Sequence, residues 1–191
     1  MCIRDSSQSL FERISSVPAA SRGLLFLPYL DGERTPHLDP LARGAFIGLS
    51  LRHSRQDLIR AVMEGVSFAL RDCLEEFKES GIRPSSMVTS GGGAKSRLWR
   101  KILANVFNLP VFTVNVEEAS AYGASMIASV GAGIFSTVEE ACQEWVRKEE
   151  EVFPEPEKVR IYEEAYQVYR GLYCKLKDDF HVLSRLEATK L

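Results

Sequence analysis

The chain has 191 residues, 45% of them apolar, 26% charged and 9% aromatic, a globular composition that excludes a disordered, collagenous or membrane-embedded chain. With 24 Lys and Arg against 26 Asp and Glu, the formal net charge is -2, so there is no electrostatic footprint for nucleic acid or an acidic membrane surface. No apolar run approaches the ~20 residues that span a bilayer, and no apolar secretory core opens the chain, which points to a cytoplasmic protein. Cysteines 2, 73, 142 and 174 and histidines 37, 53 and 181 lack the spacing of a metal hook or redox dithiol, so free thiols and no metal site are expected.

Residues 7–17 read as a short helix with Leu10, Phe11 and Ile14 on one face. Leu24, Leu25, Phe26 and Leu27 read as a buried strand, which enters a turn-rich stretch at 28–37 marked by Asp31-Gly32 and Thr35-Pro36. Residues 45–49 read as a second strand. Ser54 opens the strongest helix and with Asp57 resembles a capping box. Leu58, Val62, Val66, Ala69, Cys73 and Phe77 recur at three- and four-residue steps and predict its apolar face. Arg60 and Glu64, one turn apart, read as a helix-surface pair, and Asp72 and Glu75 as a solvated face. Gly81 is a stop, followed by Pro84.

Residues 87–90 read as a strand running straight into Gly91, Gly92, Gly93, Ala94, Lys95 and Ser96. The helix that follows buries Leu98, Ile102, Leu103 and Val106, and residues 111–114 form the next strand. Residues 119–132 form a helix of small side chains, among them Ala121, Gly123, Ala124, Ser125 and Ala128, suited to wedging against another element. The charged run 147–151 reads as a solvated loop or helix end. From Pro156 a long helix is expected, with Tyr162, Tyr166, Tyr169, Tyr173, Leu176 and Phe180 as its packing stripe. There is no internal repeat. Alternating strands and helices indicate an α/β fold with helices packed on a short mixed sheet.

The glycine triplet is the segment best suited to a ligand. Three residues without side chains let a ligand sit against the backbone. The following helix would add unpaired N–H groups and the positive end of its dipole. The loop would also lie at the carboxyl end of a strand, where open α/β sheets bind ligands. It is neither the Walker nor the spaced Rossmann form, and a tight turn without ligand remains the alternative. Lys95 reads as a surface lysine or a phosphate ligand, and Ser96 first as a helix N-cap. Glu33 and Arg34 read as an ion pair or turn anchor. His37 with Asp39 could suggest acid-base work, but no partnered nucleophile is visible.

Gly44-Ala45-Phe46-Ile47-Gly48-Leu49, then seven residues, then Asp57-Leu58-Ile59-Arg60-Ala61-Val62-Met63-Glu64, resembles the second signature of the FGGY carbohydrate kinases. Residues 26–37, with the Glu33-Arg34-Thr35-Pro36 turn, and residues 91–100 resemble the xylulokinases within that family. The resemblance runs over residues 7–183. It implies transfer of the ATP γ-phosphoryl group to a sugar hydroxyl with Mg²⁺, D-xylulose being preferred. It also implies a fold of two actin-like (hexokinase- and ribonuclease H-like) domains closing over a cleft.

By the same resemblance, Gly91, Gly92 and Gly93 lie against the nucleotide, with Ala94, Lys95 and Arg97 nearby, and the helix bearing Tyr122 and Gly123 packs at the interdomain hinge. Relatives carry an Asn at the position aligned with Arg97. The chain reads as part of the second, nucleotide-binding domain over residues 7–191. The sugar pocket, the catalytic aspartate and most of the metal site are expected in polypeptide outside it. Residues 1–6 match nothing in the pattern and read as a non-native leader. Partners are then ATP and, through the first domain, a sugar, with no nucleic acid or membrane and a possible homo-oligomer. A non-catalytic nucleotide-binding or interaction module is the alternative class, and glycerol, gluconate or ribulose the alternative substrates.

Overall fold

The structure, a computed structural model, describes residues 13–116 and 118–188. Residues 1–6 and most of the expected first helix lie outside the described residues; Arg13, Ile14 and Ser15 are helical. Two compact units divide the chain. The first takes the segments up to Arg83, Asn105–Phe107 and from Glu155 onward; the second takes Pro84–Ala104 and Asn108–Pro154.

In the first unit, strand β1 (Leu25–Leu27) is buried throughout and pairs antiparallel with β2 (Ala45–Ile47), Leu25 opposite Ile47 and Leu27 opposite Ala45. Helix α1 (Arg55–Glu79) lies on β1. Its start is fixed by Asp57, whose Oδ2 accepts from the Ser54 amide at 2.8 Å and the Ser54 hydroxyl at 2.6 Å, as the capping pattern predicts. Its end is closed by Gly81 at φ +86, with the Ile82 amide bonded to Phe77 O at 2.9 Å. Leu24, Phe26 and Ala61 form a buried cluster, with Leu58 and Val62 packed against it. The approach of helix to strand depends on Gly65: a Cβ there would stand 2.1 Å from the Phe26 carbonyl oxygen.

The buried face of α1 differs from the expected one. Leu58, Val62, Val66, Ala69 and Cys73 are only half-buried and Phe77 is exposed. The interior side carries Ala61, Phe68 and Leu74 together with Arg60, Glu64 and Asp72, so the Arg60–Glu64 pair is not on the surface and Asp72 is not solvated. The cause lies in α5 (Pro156–Ala188), whose expected stripe packs with Tyr162, Tyr166, Tyr169, Tyr173 and Phe180 buried, while Leu176 is half-buried and Leu172 is buried in addition. Phe68 meets the rings of Tyr162, Tyr166 and Tyr169 at centroid distances of 6.1, 5.8 and 5.2 Å. Tyrosines give a core large rings but also hydroxyls that need acceptors. Carboxylates supply them: Tyr162 donates to Glu64 at 2.7 Å, Tyr166 to Asp72 at 2.6 Å and Tyr173 to Asp39 at 2.8 Å.

The second unit holds a three-stranded mixed sheet in the order β3 (Met87–Val88), β4 (Val111–Val114), β5 (Lys148–Val152). Strands β3 and β4 run parallel, Met87 beside Val111; β4 and β5 run antiparallel, Val111 beside Val152. Strand β5 corrects the expected solvated loop over 147–151. Only Val152 of that strand is buried, and Lys148 lies over the Phe112 ring at 4.0 Å, so a charged ribbon pairs with the sheet through its backbone. Helix α2 (Arg97–Phe107) buries Ile102, Leu103 and Val106, with Leu98 half-buried. Helix α3 (Ala119–Gly131) packs on the helix that follows it, but through Met126 and Ser129, its buried residues, and not through the small side chains: Ala121, Ala124, Ser125 and Ala128 are exposed, and a Cβ on Gly123 would meet nothing within 4 Å. Helix α4 (Val138–Trp145) packs on α3 and starts at Thr137, whose Oγ1 accepts from the Glu140 amide at 3.2 Å. Among the described residues no helix is long and apolar enough to cross a membrane.

Candidate functional site

The glycine triplet lies where β3 ends. Thr89 still extends the parallel ladder, its amide bonded to Phe112 O at 2.9 Å, and the chain then reverses at Gly91. Gly91 has φ +77 and ψ -167, a region open in practice to glycine alone. Gly92–Lys95 makes a single 3-10 turn, closed by Ala94 N to Gly91 O at 3.1 Å and Ser96 N to Gly93 O at 3.2 Å. The glycine segment thus stands between strand and helix, as its sequence suggested, and takes the form of a 3-10 turn. Ser96 caps α2, its hydroxyl accepting from the Trp99 amide at 3.3 Å, so one of the expected free N–H groups is taken.

An open cleft of about 230 Å³ flanks this turn within the second unit. Thr89, Ser90 and Gly91 line it from the end of β3, Ala94 and Lys95 from the turn, Thr113 from β4 and Glu149 and Glu150 from β5. Three of the expected site residues thus share its wall: Gly91, Ala94 and Lys95. Gly92 is exposed beside it, and a Cβ there would meet nothing within 4 Å. Gly93 is half-buried, and a Cβ there would press on the Trp99 ring at 3.2 Å. Arg97 is exposed on the first turn of α2 and does not line the cleft.

Sequence reasoning missed the residue that ties this wall together. Arg100 is buried; one Nη donates to the Ala94 carbonyl oxygen and the other to the Glu150 carboxylate. The Glu150 amide in turn donates to Thr113 Oγ1 at 3.2 Å. Arg100 stood inside the motif already singled out, but its partner Glu150 lay in the run taken for a loop. With β5 unrecognised, nothing signalled the pair.

The other candidates resolve differently. Asp39 lies in the first unit with its oxygens occupied: it accepts from His181 Nε2 at 2.8 Å, the Leu41 amide at 2.9 Å and Tyr173 at 2.8 Å. Burial works against its ionisation, but these hydrogen bonds win and hold its carboxyl down to about 2. His37 stacks on the Tyr173 ring at 3.7 Å, and burial pushes its imidazole below the ordinary value. Both residues are spent on anchoring the loop to α5. Glu33 serves as a turn anchor, exchanging backbone bonds with Asp39 at 2.7 and 2.8 Å and accepting from the Thr35 amide at 2.8 Å. Among the described residues no three His, Cys, Asp or Glu side chains are grouped to hold a metal ion.

The model of the FGGY family of carbohydrate kinases, C-terminal domain, matches residues 3–132 of this chain. The xylulose kinase of Bacillus subtilis is 36% identical over 174 residues, which cover 91% of this chain and 35% of that protein. Among solved structures, ligand-bound xylulose kinase from Lactobacillus acidophilus superposes with a TM-score of 0.86 at 30% identity, covering 93% of this chain and 36% of that one. Gluconate kinase from the same organism gives a TM-score of 0.82 at 31% identity, with 91% and 35% covered. The chain therefore spans about a third of the length of the relatives it matches.

Proposed function

Because the chain belongs to the FGGY family of carbohydrate kinases, we propose that it is the ATP-binding part of a sugar kinase that transfers the γ-phosphoryl group to a sugar hydroxyl. The observation that carries this reading is the bare turn at Gly91–Gly93, with open space over Gly92, at the edge of the cleft. A nucleoside can lie flat on such a backbone because no Cβ stands between them.

Phosphoryl transfer is mostly positioning and charge neutralisation, with a base to accept the hydroxyl proton. This chain's share is positioning: Gly91, Gly92 and Gly93 form the nucleoside platform, Ala94 backs it, and Lys95 is the cation at the cleft wall. Arg97 stands at the periphery and contributes a long-range positive charge. The base belongs with the sugar, in polypeptide that the relatives carry and this chain does not span. The family's activity implies a divalent cation on the ATP phosphates. The described residues offer that ion no cluster of three or more His, Cys, Asp or Glu side chains.

D-xylulose is the acceptor favoured by the named relatives and by the Glu33-Arg34-Thr35-Pro36 turn; the gluconate kinase neighbour makes gluconate the second reading. ATP titrated into the chain, followed by amide NMR, should shift the Gly91, Gly92 and Gly93 resonances saturably, without forming xylulose phosphate. Shifts confined to residues remote from this turn would overturn the proposal. A panel of xylulose, gluconate, glycerol and ribulose offered to the complete kinase decides the sugar.

A further inference from the structure

We infer that Arg100 is a positioning residue for the nucleotide, acting as a latch that sets the shape of the glycine turn from outside it. The inference rests on the nucleotide reading of the cleft. Arg100 leaves α2 one turn after Ser96 and reaches back to the carbonyl of Ala94, the last buried residue of the 3-10 turn. Its second Nη is held by Glu150 on β5, which Thr113 of β4 also engages through the Glu150 amide at 3.2 Å. One guanidinium therefore connects the turn to the sheet edge across the cleft wall.

The geometry is too specific for packing alone. The Arg100 side chain is 5% exposed while its partner Glu150 is 66% exposed, so a buried cation reaches out to a carboxylate at the surface. Its Nε is buried and has no hydrogen-bond partner. Buried polar groups are usually satisfied, and exceptions concentrate where function demands a particular geometry. Here both Nη groups are engaged, by Ala94 O and by Glu150, and Nε is left without a partner. Ala94 N is bonded to Gly91 O at 3.1 Å, so fixing Ala94 fixes the reversal that presents the glycines. A planar fork of donors makes both bonds at once in a fixed geometry, which the point charge of a lysine does not hold.

The test compares ATP affinity, by calorimetry and by the amide shifts of Gly91 to Gly93, in the full chain and in Arg100→Met, Arg100→Lys and Glu150→Gln. Arg100→Met should weaken ATP binding about tenfold in the folded protein, with the glycine amides displaced even before ATP is added. Arg100→Lys should fall between, and Glu150→Gln, which keeps an acceptor oxygen, should stay within about threefold of the parent. A purely structural arginine would lower Tm and leave the ATP affinity of folded molecules and the glycine shifts unchanged, which overturns the inference alone. If the parent chain binds no ATP, the nucleotide reading falls and this inference with it. Should Arg100→Met not fold, the Lys and Gln variants carry the same comparison.

Discussion

The Glu64 carboxylate and the Arg60 guanidinium meet at 2.8 Å in the interior of the first unit, one helical turn apart and 2% and 6% exposed. Glu64 Oε1 also accepts from Tyr162 at 2.7 Å and the Ala20 amide at 3.2 Å, and Oε2 from Ser21 Oγ at 2.7 Å. The pair thereby fixes a left-handed stretch, Ala20, Ser21 and Arg22 at φ 59, 46 and 58, beneath α1. Burial pushes the Glu64 carboxyl up, against the pull of Arg60. Glu64→Ala should cost about 3–5 kcal/mol in urea denaturation at pH 7, because it strands a buried cation. Replacing both residues, as Arg60→Met with Glu64→Leu, should recover much of that loss. A cost below about 1 kcal/mol for Glu64→Ala would mean that the pair is solvated after all.

Asp72 gives a pH dependence of one sign. Burial lifts its carboxyl from 3.8 to about 6, although Tyr166 donates to it and Arg170 and Arg71 pull the other way. Well below pH 4 it is protonated in both folded and unfolded chains and costs nothing. Between pH 4 and 6 the unfolded chain ionises first, so stability falls as pH rises, and above 6 a penalty of about 3 kcal/mol persists. Asp72→Asn removes the ionisation and keeps an acceptor for Tyr166. It should therefore exceed the parent by up to about 3 kcal/mol at pH 7.5 and converge with it near pH 4. Equal stabilities at pH 7.5 would refute a carboxylate whose burial outweighs its partners.

Asp39 gives the opposite sign. Its carboxyl is held at about 2 in the folded chain, below its ordinary 3.8. Its contribution is complete above about pH 4 and disappears as pH falls toward 2. Asp39→Asn should lose that contribution at pH 7, because the amide keeps one acceptor oxygen where the carboxylate has two for Leu41, Tyr173 and His181 and carries no charge, and the gap should close on acidification. Parallel urea titrations of the Asp72→Asn and Asp39→Asn variants should diverge from the parent in opposite directions at neutral pH. Movement in the same direction contradicts one of the two assignments.

These buried acids also mark the limit of what the sequence discloses. Apolar periodicity located α1, β4 and the stripe of α5, because each follows from local spacing, and Ser54, Ser96 and Gly81 announced helix ends by their own chemistry. Which face of α1 is interior depends instead on tyrosine hydroxyls about a hundred residues away, where Tyr162 meets Glu64 and Tyr166 meets Asp72. A charged residue read locally belongs outside; only its distant donor moves it in. Strand β5 failed for a related reason. Its Lys148, Glu149, Glu150 and Glu151 show no alternation, and pairing with Val111–Val114 supplies what the side chains do not advertise. The glycine turn was legible as a ligand-bearing bend, but the Arg100 latch was not, since it required that unrecognised strand.

The three glycines of the turn should separate shape from contact when each is changed to alanine. Gly91 occupies φ +77 and ψ -167, so Gly91→Ala forces strain of about 1–3 kcal/mol and should lower Tm and ATP affinity together. Gly93→Ala sets a methyl 3.2 Å from the Trp99 ring, so the ring must shift and the tryptophan emission should change without ligand. Gly92→Ala meets open space and should leave Tm level or slightly raised, because alanine narrows the unfolded ensemble. Yet its methyl rises from the surface on which the nucleoside is proposed to lie, so ATP should bind about tenfold more weakly at unchanged stability. Only a ligand-facing backbone separates affinity from stability in this way. Undiminished ATP binding by the Gly92→Ala variant would move the nucleoside off this turn.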